Sequence, residues 1–151
     1  MGTILSRTGE VLLTYTGALK SLDWEAVPLE GARLTGCDLE GAYMAGCRLR
    51  GADLSGSDLY WATLTGSDFS GADLTNCDLR GAILIDVDFR GACLDGCDLR
   101  PNNLGSPTVI DGADFTGAQL SRARLEGTQW NDRTRFPDGF APEPRGMVKR
   151  C

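Results

Sequence analysis

The 151-residue sequence contains no histidine. A Ser/His or Cys/His pair therefore cannot form, which removes the commonest arrangement for nucleophilic catalysis. We expect a non-enzymatic protein with no catalytic residues, no cofactor and no metal site. The N-terminal residues lack the apolar core of a signal peptide, and no run approaches the roughly 18 apolar residues of a membrane span. A cytoplasmic protein without membrane association is the expectation.

An excess of positive charge is also lacking. The formal net charge is −6, whereas proteins that bind the phosphate backbone carry clustered Lys and Arg, so we expect no direct nucleic-acid binding. The six cysteines lack the paired C-x-x-C spacing of zinc sites and are interpreted as reduced, packed thiols. Four are predicted to point inward: Cys37, Cys47, Cys77 and Cys97. The other two, Cys93 and Cys151, are predicted to point outward.

Glycine is abundant, with 20 residues, and it recurs within a unit of five from about residue 27 to 131. The unit consists of a small residue, a polar residue, Leu or Phe, a polar residue and Gly. Its central apolar positions run without a slip through sixteen units: Leu29, Leu34, Leu39, Met44, Leu49, Leu54, Leu59, Leu64, Phe69, Leu74, Leu79, Leu84, Phe89, Leu94, Leu99 and Leu104. One inserted residue near Ser106-Pro107 follows. The register then resumes at Ile110, Phe115, Leu120, Leu125 and Trp130.

A period of five suits neither an α-helix nor a straight strand. In a helix the apolar residues would spiral round every face, and in a strand they would alternate between the two faces. The chain must therefore bend once per unit, and glycine supplies the turn. The inward small residues alternate every ten residues, which fits four units per turn. We predict an all-β solenoid, a right-handed quadrilateral parallel β-helix of about five coils of 20 residues, in which Phe69 and Phe89 stack.

Three stretches carry a resemblance to a known family. GADLSGSDL, GSDFSGADLTNCDLRGA and GACLDGCDL resemble the A(D/N)LXX motif of pentapeptide-repeat proteins, and the match covers about two thirds of the chain. The resemblance implies a right-handed quadrilateral β-helix. In some members it also implies inhibition or protection of DNA gyrase by a rod that imitates duplex DNA.

The two ends of the chain depart from the repeat. Residues 1–26 are predicted to form an N-terminal cap, with a hairpin over residues 3–6 and 10–15 and a short helix over residues 18–26. Residues 27–131 form the repeat domain, with the insertion near residues 105–107. Residues 132–151 form an irregular C-terminal cap that contributes Phe136 and Phe140. Such caps protect the open strand edges of a solenoid.

An acidic stripe is the first candidate surface. It consists of Asp38, Asp58, Asp78 and Asp98, followed in the same column by Gln119. One interpretation is an anionic surface for a basic partner. The other is that each Asp accepts a hydrogen bond from its own turn, with neighbouring Arg80 and Arg100 neutralising the charge. The second interpretation is favoured, because Asp recurs at this place in units on other sides.

An aromatic corner is the second candidate surface. Its residues are Tyr43, Tyr60, Trp61, Ile83 and Ile85, and the pair Tyr60-Trp61 occurs where glycine is expected. Exposed aromatic residues of this kind are typical of protein interfaces. The competing interpretation is that the N-terminal segment or the inserted loop covers them.

These features predict a non-enzymatic protein-binding or scaffold solenoid that recognises a protein partner or a second copy of itself. The alternative is a DNA-mimicking modulator or protector of DNA gyrase or another topoisomerase.

Overall fold

Parallel main-chain bridges connect residues twenty positions apart, from Pro28–Arg48 to Asp78–Asp98. The structure is a computed structural model that describes residues 2–22, 24–25 and 27–150. The bridges form four columns, and a span of twenty residues between successive levels holds four five-residue units. Each column contains residues that precede a buried central side chain, and two-residue turns separate the columns. The repeat therefore winds as a solenoid in which every unit hydrogen-bonds to the unit one coil away.

Buried side chains stack along the axis of this solenoid. The central leucines from Leu29 to Leu99 are almost completely inaccessible to solvent. Phe69 and Phe89 lie one above the other as predicted, with their ring centroids 5.6 Å apart and their planes inclined by 31°. The aromatic stack continues beyond them, because Phe115 lies 5.0 Å from Phe89 and Phe136 lies 6.2 Å from Phe115. The core is thus one continuous column that extends into the C-terminal segment.

Small polar side chains inside the solenoid make hydrogen bonds that the sequence analysis missed. The Ser67 hydroxyl donates to the carbonyl of Met44 at 2.6 Å and accepts from the amide of Cys47 at 3.2 Å. The thiols of Cys77 and Cys97 donate in the same way to main-chain carbonyls one coil away. These residues therefore connect successive coils as well as filling space.

We predict that Ser67→Val lowers the free energy of unfolding by about 1–3 kcal/mol, because buried main-chain groups lose a partner. The side chain itself fits, since Val87 occupies the next level of the same inward column. Ser67→Cys is the matched control, because cysteine holds the equivalent position at Cys47 one level away and should retain a weaker donor. Urea unfolding measures the difference. Equal losses in the two variants would show that the hydroxyl contributes nothing beyond its volume.

The insertion is larger than predicted. Ile83 pairs with Val109, an offset of 26 residues, so six extra residues enter this coil instead of one. The prediction that Leu104 points inward is wrong, because its side chain is 77% exposed. The cause is local: the Asn102 side-chain oxygen accepts hydrogen bonds from the amides of Leu104 and Ser106, both at 2.9 Å. This closes a loop and expels Leu104 from the repeat.

The N-terminal segment begins with an antiparallel hairpin. Strand β1 is Gly2–Leu5 and strand β2 is Val11–Tyr15, and an antiparallel bridge between Ser6 and Ala32 joins the hairpin to the first coil. The predicted short helix over residues 18–26 is wrong in extent, because only a 3-10 turn, Leu19–Ser21, forms among its described residues. Residues 23 and 26 lie outside the described residues.

The C-terminal segment returns to the solenoid. Strand β3, Gln129–Trp130, pairs in parallel with β4, Val148–Lys149, and a second 3-10 turn, Glu143–Arg145, lies between them. Phe140 stacks on Phe136 at 4.9 Å. Within the part of the chain that the structure describes, neither helical turn has the length or apolar character needed to cross a bilayer.

Candidate protein-interaction surface

One of the four columns is uncharged at its outward positions. It consists of Tyr43, Thr63, Ile83, Val109 and Gln129, connected by successive parallel bridges. Each of the other three columns carries several Asp or Arg residues at the same positions among the described residues. Tyr43 is 52% exposed, while Thr63, Ile83 and Val109 are half-buried. This uncharged column is therefore the part of the solenoid wall where a partner meets the least charge to desolvate.

Trp61 lies in the turn before the uncharged column and adopts a backbone conformation that favours glycine. Its φ is 59°, close to the 64° of Gly41 and the 69° of Gly81 in the same turn of the neighbouring coils. For a residue with a Cβ this left-handed conformation costs roughly 1–2 kcal/mol. The side chain is 52% exposed, so the ring gains only part of the burial that would offset that cost. An exposed tryptophan at a strained position points to a role outside folding.

Tyr60 is held by the inserted loop. Its hydroxyl accepts a hydrogen bond from the amide of Asn103 at 3.3 Å, and the Arg80 guanidinium lies 5.4 Å from its ring centroid. The inserted loop therefore covers Tyr60, which was one of the two interpretations of the aromatic corner. The loop does not cover Trp61 and Tyr43, which are each half exposed.

The sequence analysis missed two residues of this surface. Val109 belongs to the uncharged column and Leu104 projects from the neighbouring loop. Leu104 was assigned to the core because it keeps the five-residue spacing. Pro101 and Asn102, in place of the usual turn residues, were the available signal of a loop. Of the predicted residues, Ile85 lies half-buried in the turn after the column.

The acidic stripe forms a continuous column through Asp38, Asp58, Asp78 and Asp98. The prediction that Gln119 follows is wrong, since Arg124 pairs with Asp98 and Gln119 pairs with Cys93. The reason is the inserted loop, which shifts every later unit by six positions instead of one.

Cations accompany most of this stripe. Lys20 lies 2.9 Å from Asp38, Arg80 lies 2.6 Å from Asp78, and Arg100 lies 2.7 Å from Asp98. Each of the four carboxylates also accepts a hydrogen bond from the amide two residues later, as at Asp58, which accepts from Tyr60 at 2.9 Å. The structure thus contains both features of the second interpretation of the stripe: a hydrogen bond that each Asp accepts from its own turn, and arginines that neutralise the charge.

The repeat is matched by a family model described as pentapeptide repeats, with 8 copies over residues 32–71, 62–100 and 108–129. The chain belongs to the pentapeptide-repeat family. Its solved relatives show that this family architecture is a right-handed β-helix solenoid, the fold described above.

Two pentapeptide-repeat structures illustrate the similarity. Rfr23 from the cyanobacterium Cyanothece 51142 is 30% identical with a TM-score of 0.60, and the match covers 66% of this chain and 64% of Rfr23. A protein from the Arabidopsis thaliana thylakoid lumen is 32% identical with a TM-score of 0.52, and the match covers 65% of this chain and 68% of that one. QnrB1, a plasmid-mediated fluoroquinolone resistance protein, is 15% identical with a TM-score of 0.38. No curated protein matches the chain with significance.

The cations of this pentapeptide-repeat protein alter the acidity of the stripe. Burial alone would raise the pKa of Asp98, but hydrogen bonds and charge from Arg100, with the charge of Arg124, outweigh burial and lower it. The hydrogen bond from Lys20 lowers the pKa of Asp38. These carboxylates are therefore ionised at neutral pH, and nearby cations compensate a large part of their charge.

The Cys97 thiol in the core of this pentapeptide-repeat protein has low reactivity. Hydrogen bonding with Cys77 and burial both raise the pKa of the Cys97 thiol, so it stays protonated and is a poor nucleophile or metal ligand. Across the described residues, no group of three or more Cys, Asp or Glu side chains could hold a metal ion. Cys93 is half-exposed, as expected of an outward thiol, and Cys151 lies outside the described residues.

Proposed function

We propose that this pentapeptide-repeat chain is a non-enzymatic protein-binding or scaffold solenoid that acts in the cytoplasm. The four columns of bridges support a quadrilateral cross-section of about five coils over residues 27–131. The flanking segments act as caps, because the hairpin and the β3–β4 pair each bond to a terminal coil. Binding takes place at the uncharged column and at the turns beside it.

The observation that carries this proposal is Trp61. A half-exposed tryptophan in a left-handed turn carries backbone strain that glycine avoids and leaves about half of its surface in water, whereas tryptophan is enriched at the centres of protein interfaces. Tyr43 and Leu104 are also exposed in this region. Val148 pairs in parallel with Gln129 and continues the column. Four of the five exposed large hydrophobic side chains among the described residues thus lie on or beside one column.

The decisive variant is Trp61→Gly. We predict that it abolishes partner binding while the free energy of unfolding stays the same or rises by up to about 1 kcal/mol, because glycine relieves the left-handed strain. The measurement is affinity capture from cells of the source organism, with thermal unfolding of the same samples. Loss of binding then cannot be attributed to a damaged fold.

The matched control for Trp61→Gly is Asn76→Gly. Asn76 has the same φ of 59°, but it lies in a turn that does not border the uncharged column. This control should keep every partner. Retention of all partners by Trp61→Gly as well would exclude the surface.

A second candidate function is modulation of DNA gyrase or another topoisomerase by imitation of DNA. The column of four aspartates and the net charge of −6 favour it, whereas the cations paired with Asp38, Asp78 and Asp98 weaken it. A supercoiling assay with and without a quinolone tests this candidate. Unchanged gyrase activity at micromolar protein would eliminate it.

A further inference from the structure

We propose that the C-terminal rim of the solenoid binds an extended peptide segment of a partner protein, which adds a strand to the open edge at Gln119. This site lies on a different column from the uncharged one and goes beyond the proposed function. Main-chain groups that the last coil leaves unpaired, and a cleft beside them, point to this ligand.

Two of the four columns end at the last coil. The other two continue into the C-terminal segment through bridges to Arg135 and Val148. Gln119 and Arg124 close the remaining columns, and among the described residues none bridges to them from the C-terminal side. The rim therefore has a strand edge along two adjacent sides of the solenoid.

The C-terminal segment is too short to continue these two columns. Asp114 and Gln129 of the last coil are 15 positions apart, whereas Arg135 and Val148, which pair with them one level further on, are 13 apart. Three of the residues between Arg135 and Val148 are prolines, which have no N–H to donate to a strand edge. The segment crosses the end of the core instead, where Phe140 continues the aromatic stack. It covers the core without pairing with the edge.

The main chain on either side of Gln119 has an unpaired acceptor and an unpaired donor. One coil earlier, the Ala92 carbonyl accepts from the Gln119 amide and the Leu94 amide donates to the Gln119 carbonyl, both at 2.9 Å. The corresponding groups of the last coil are the Ala118 carbonyl and the Leu120 amide, and neither has a hydrogen bond within the described residues. One residue of an added parallel strand would make both bonds, as Gln119 does with the coil before it.

A cleft of about 200 Å³ lies beside this edge. It is lined by Leu120 and Ser121 of the last coil and by Pro137 and Phe140 of the C-terminal segment. Leu120 is 6% exposed, whereas Leu94 in the coil before it is completely buried. In an added strand, the side chain that follows the paired residue would point toward the core, as Leu120 does, and would contact Phe140. We therefore expect an apolar side chain at that place in the ligand.

Charge does not select the ligand of this cleft. Asp138 and Arg145 both line it, so their formal charges cancel, and the Arg145 guanidinium lies 4.6 Å from the Phe140 ring centroid. Arg122 in the adjoining turn is bonded to Asp95 at 2.6 Å. Recognition therefore depends on main-chain pairing and an apolar contact, and an extended main chain offers the matching donor and acceptor.

Hydrogen exchange of the full chain, measured by NMR, tests the open edge. Leu94 and Leu120 occupy equivalent positions in successive coils, but only the Leu94 amide has a main-chain partner. The Leu120 amide should therefore exchange more than about tenfold faster than that of Leu94. Equal protection of the two amides in a dilute sample would overturn the open edge. Protection of Leu120 that rises with protein concentration would assign the edge to a second copy and overturn a separate partner.

A peptide with the sequence of residues 51–56, GADLSG, acetylated and amidated at its ends, is the probe for the partner segment. Asp53 belongs to the column that ends at Gln119, so this peptide reproduces one unit of that side. At several millimolar it should slow exchange of the Leu120 amide more than about fivefold, with a dissociation constant of roughly 0.1–1 mM because few bonds contribute. The control peptide carries a methyl group on the nitrogen of its aspartate, which removes the donor to Ala118, and should not bind.

The pairing uses the main chain, so it does not depend on a particular partner sequence. No change at the Leu120 amide with the unmodified peptide, or equal effects of the two peptides, would overturn the proposal. Trp61→Gly, which alters the surface beside the uncharged column, should leave the effect of the peptide unchanged. The rim site and the proposed function can therefore fail separately.

Discussion

Replacement of Phe89 by alanine is expected to lower the free energy of unfolding by about 3–5 kcal/mol, the range for removal of a buried aromatic side chain. Phe89 is fully buried between Phe69 and Phe115, at centroid distances of 5.6 and 5.0 Å. The substitution therefore leaves a cavity in the middle of the aromatic stack and removes two ring contacts. Successive coils hold this cavity from both sides through their main-chain bonds, so the core cannot collapse to fill it.

Urea unfolding of Phe89→Ala should be compared with that of Phe89→Leu and Phe140→Ala. Leucine already fills this position in most units, so Phe89→Leu should cost less than about 1.5 kcal/mol. Phe140 is only half-buried at the end of the stack, and its replacement should cost less than that of Phe89. A near-neutral Phe89→Ala would mean that the aromatic stack does not hold the coils together.

Gly81→Ala is expected to lower the free energy of unfolding by about 2–4 kcal/mol, the sum of left-handed backbone strain and overpacking. Gly81 has a φ of 69°, and an added Cβ would lie 2.7 Å from the Asn102 side-chain nitrogen. Asn102 is buried, and its oxygen closes the inserted loop through the amides of Leu104 and Ser106. The asparagine therefore cannot withdraw without opening the loop.

Gly71→Ala is the matched control for this prediction. Gly71 has a φ of 64° with nothing within 4 Å of an added Cβ, so only the backbone strain of about 1–2 kcal/mol remains. Thermal and urea unfolding of both variants isolate the contribution of the loop contact. Equal losses would show that the loop does not pack on Gly81.

Up to residue 100, the sequence was sufficient for the wall of the solenoid and for the central side chains that point inward. A five-residue period requires one bend per unit. The central apolar residue of each unit, usually leucine, then points into the core. The stacking of Phe69 on Phe89 follows from the same spacing, because no insertion separates them. The place of Trp61 in a glycine turn was also visible from the spacing alone.

Only the tertiary structure decided which residues meet beyond residue 100. The loop closed by Asn102 absorbs one whole unit as well as the extra residue, so Arg124 instead of Gln119 follows Asp98. The same loop bonds to Tyr60 and leaves Trp61 exposed beside Leu104. Periodicity specifies each unit from its own five residues, whereas stacking depends on the total number of residues in a coil. One hydrogen-bonded loop changes that number for every unit after it.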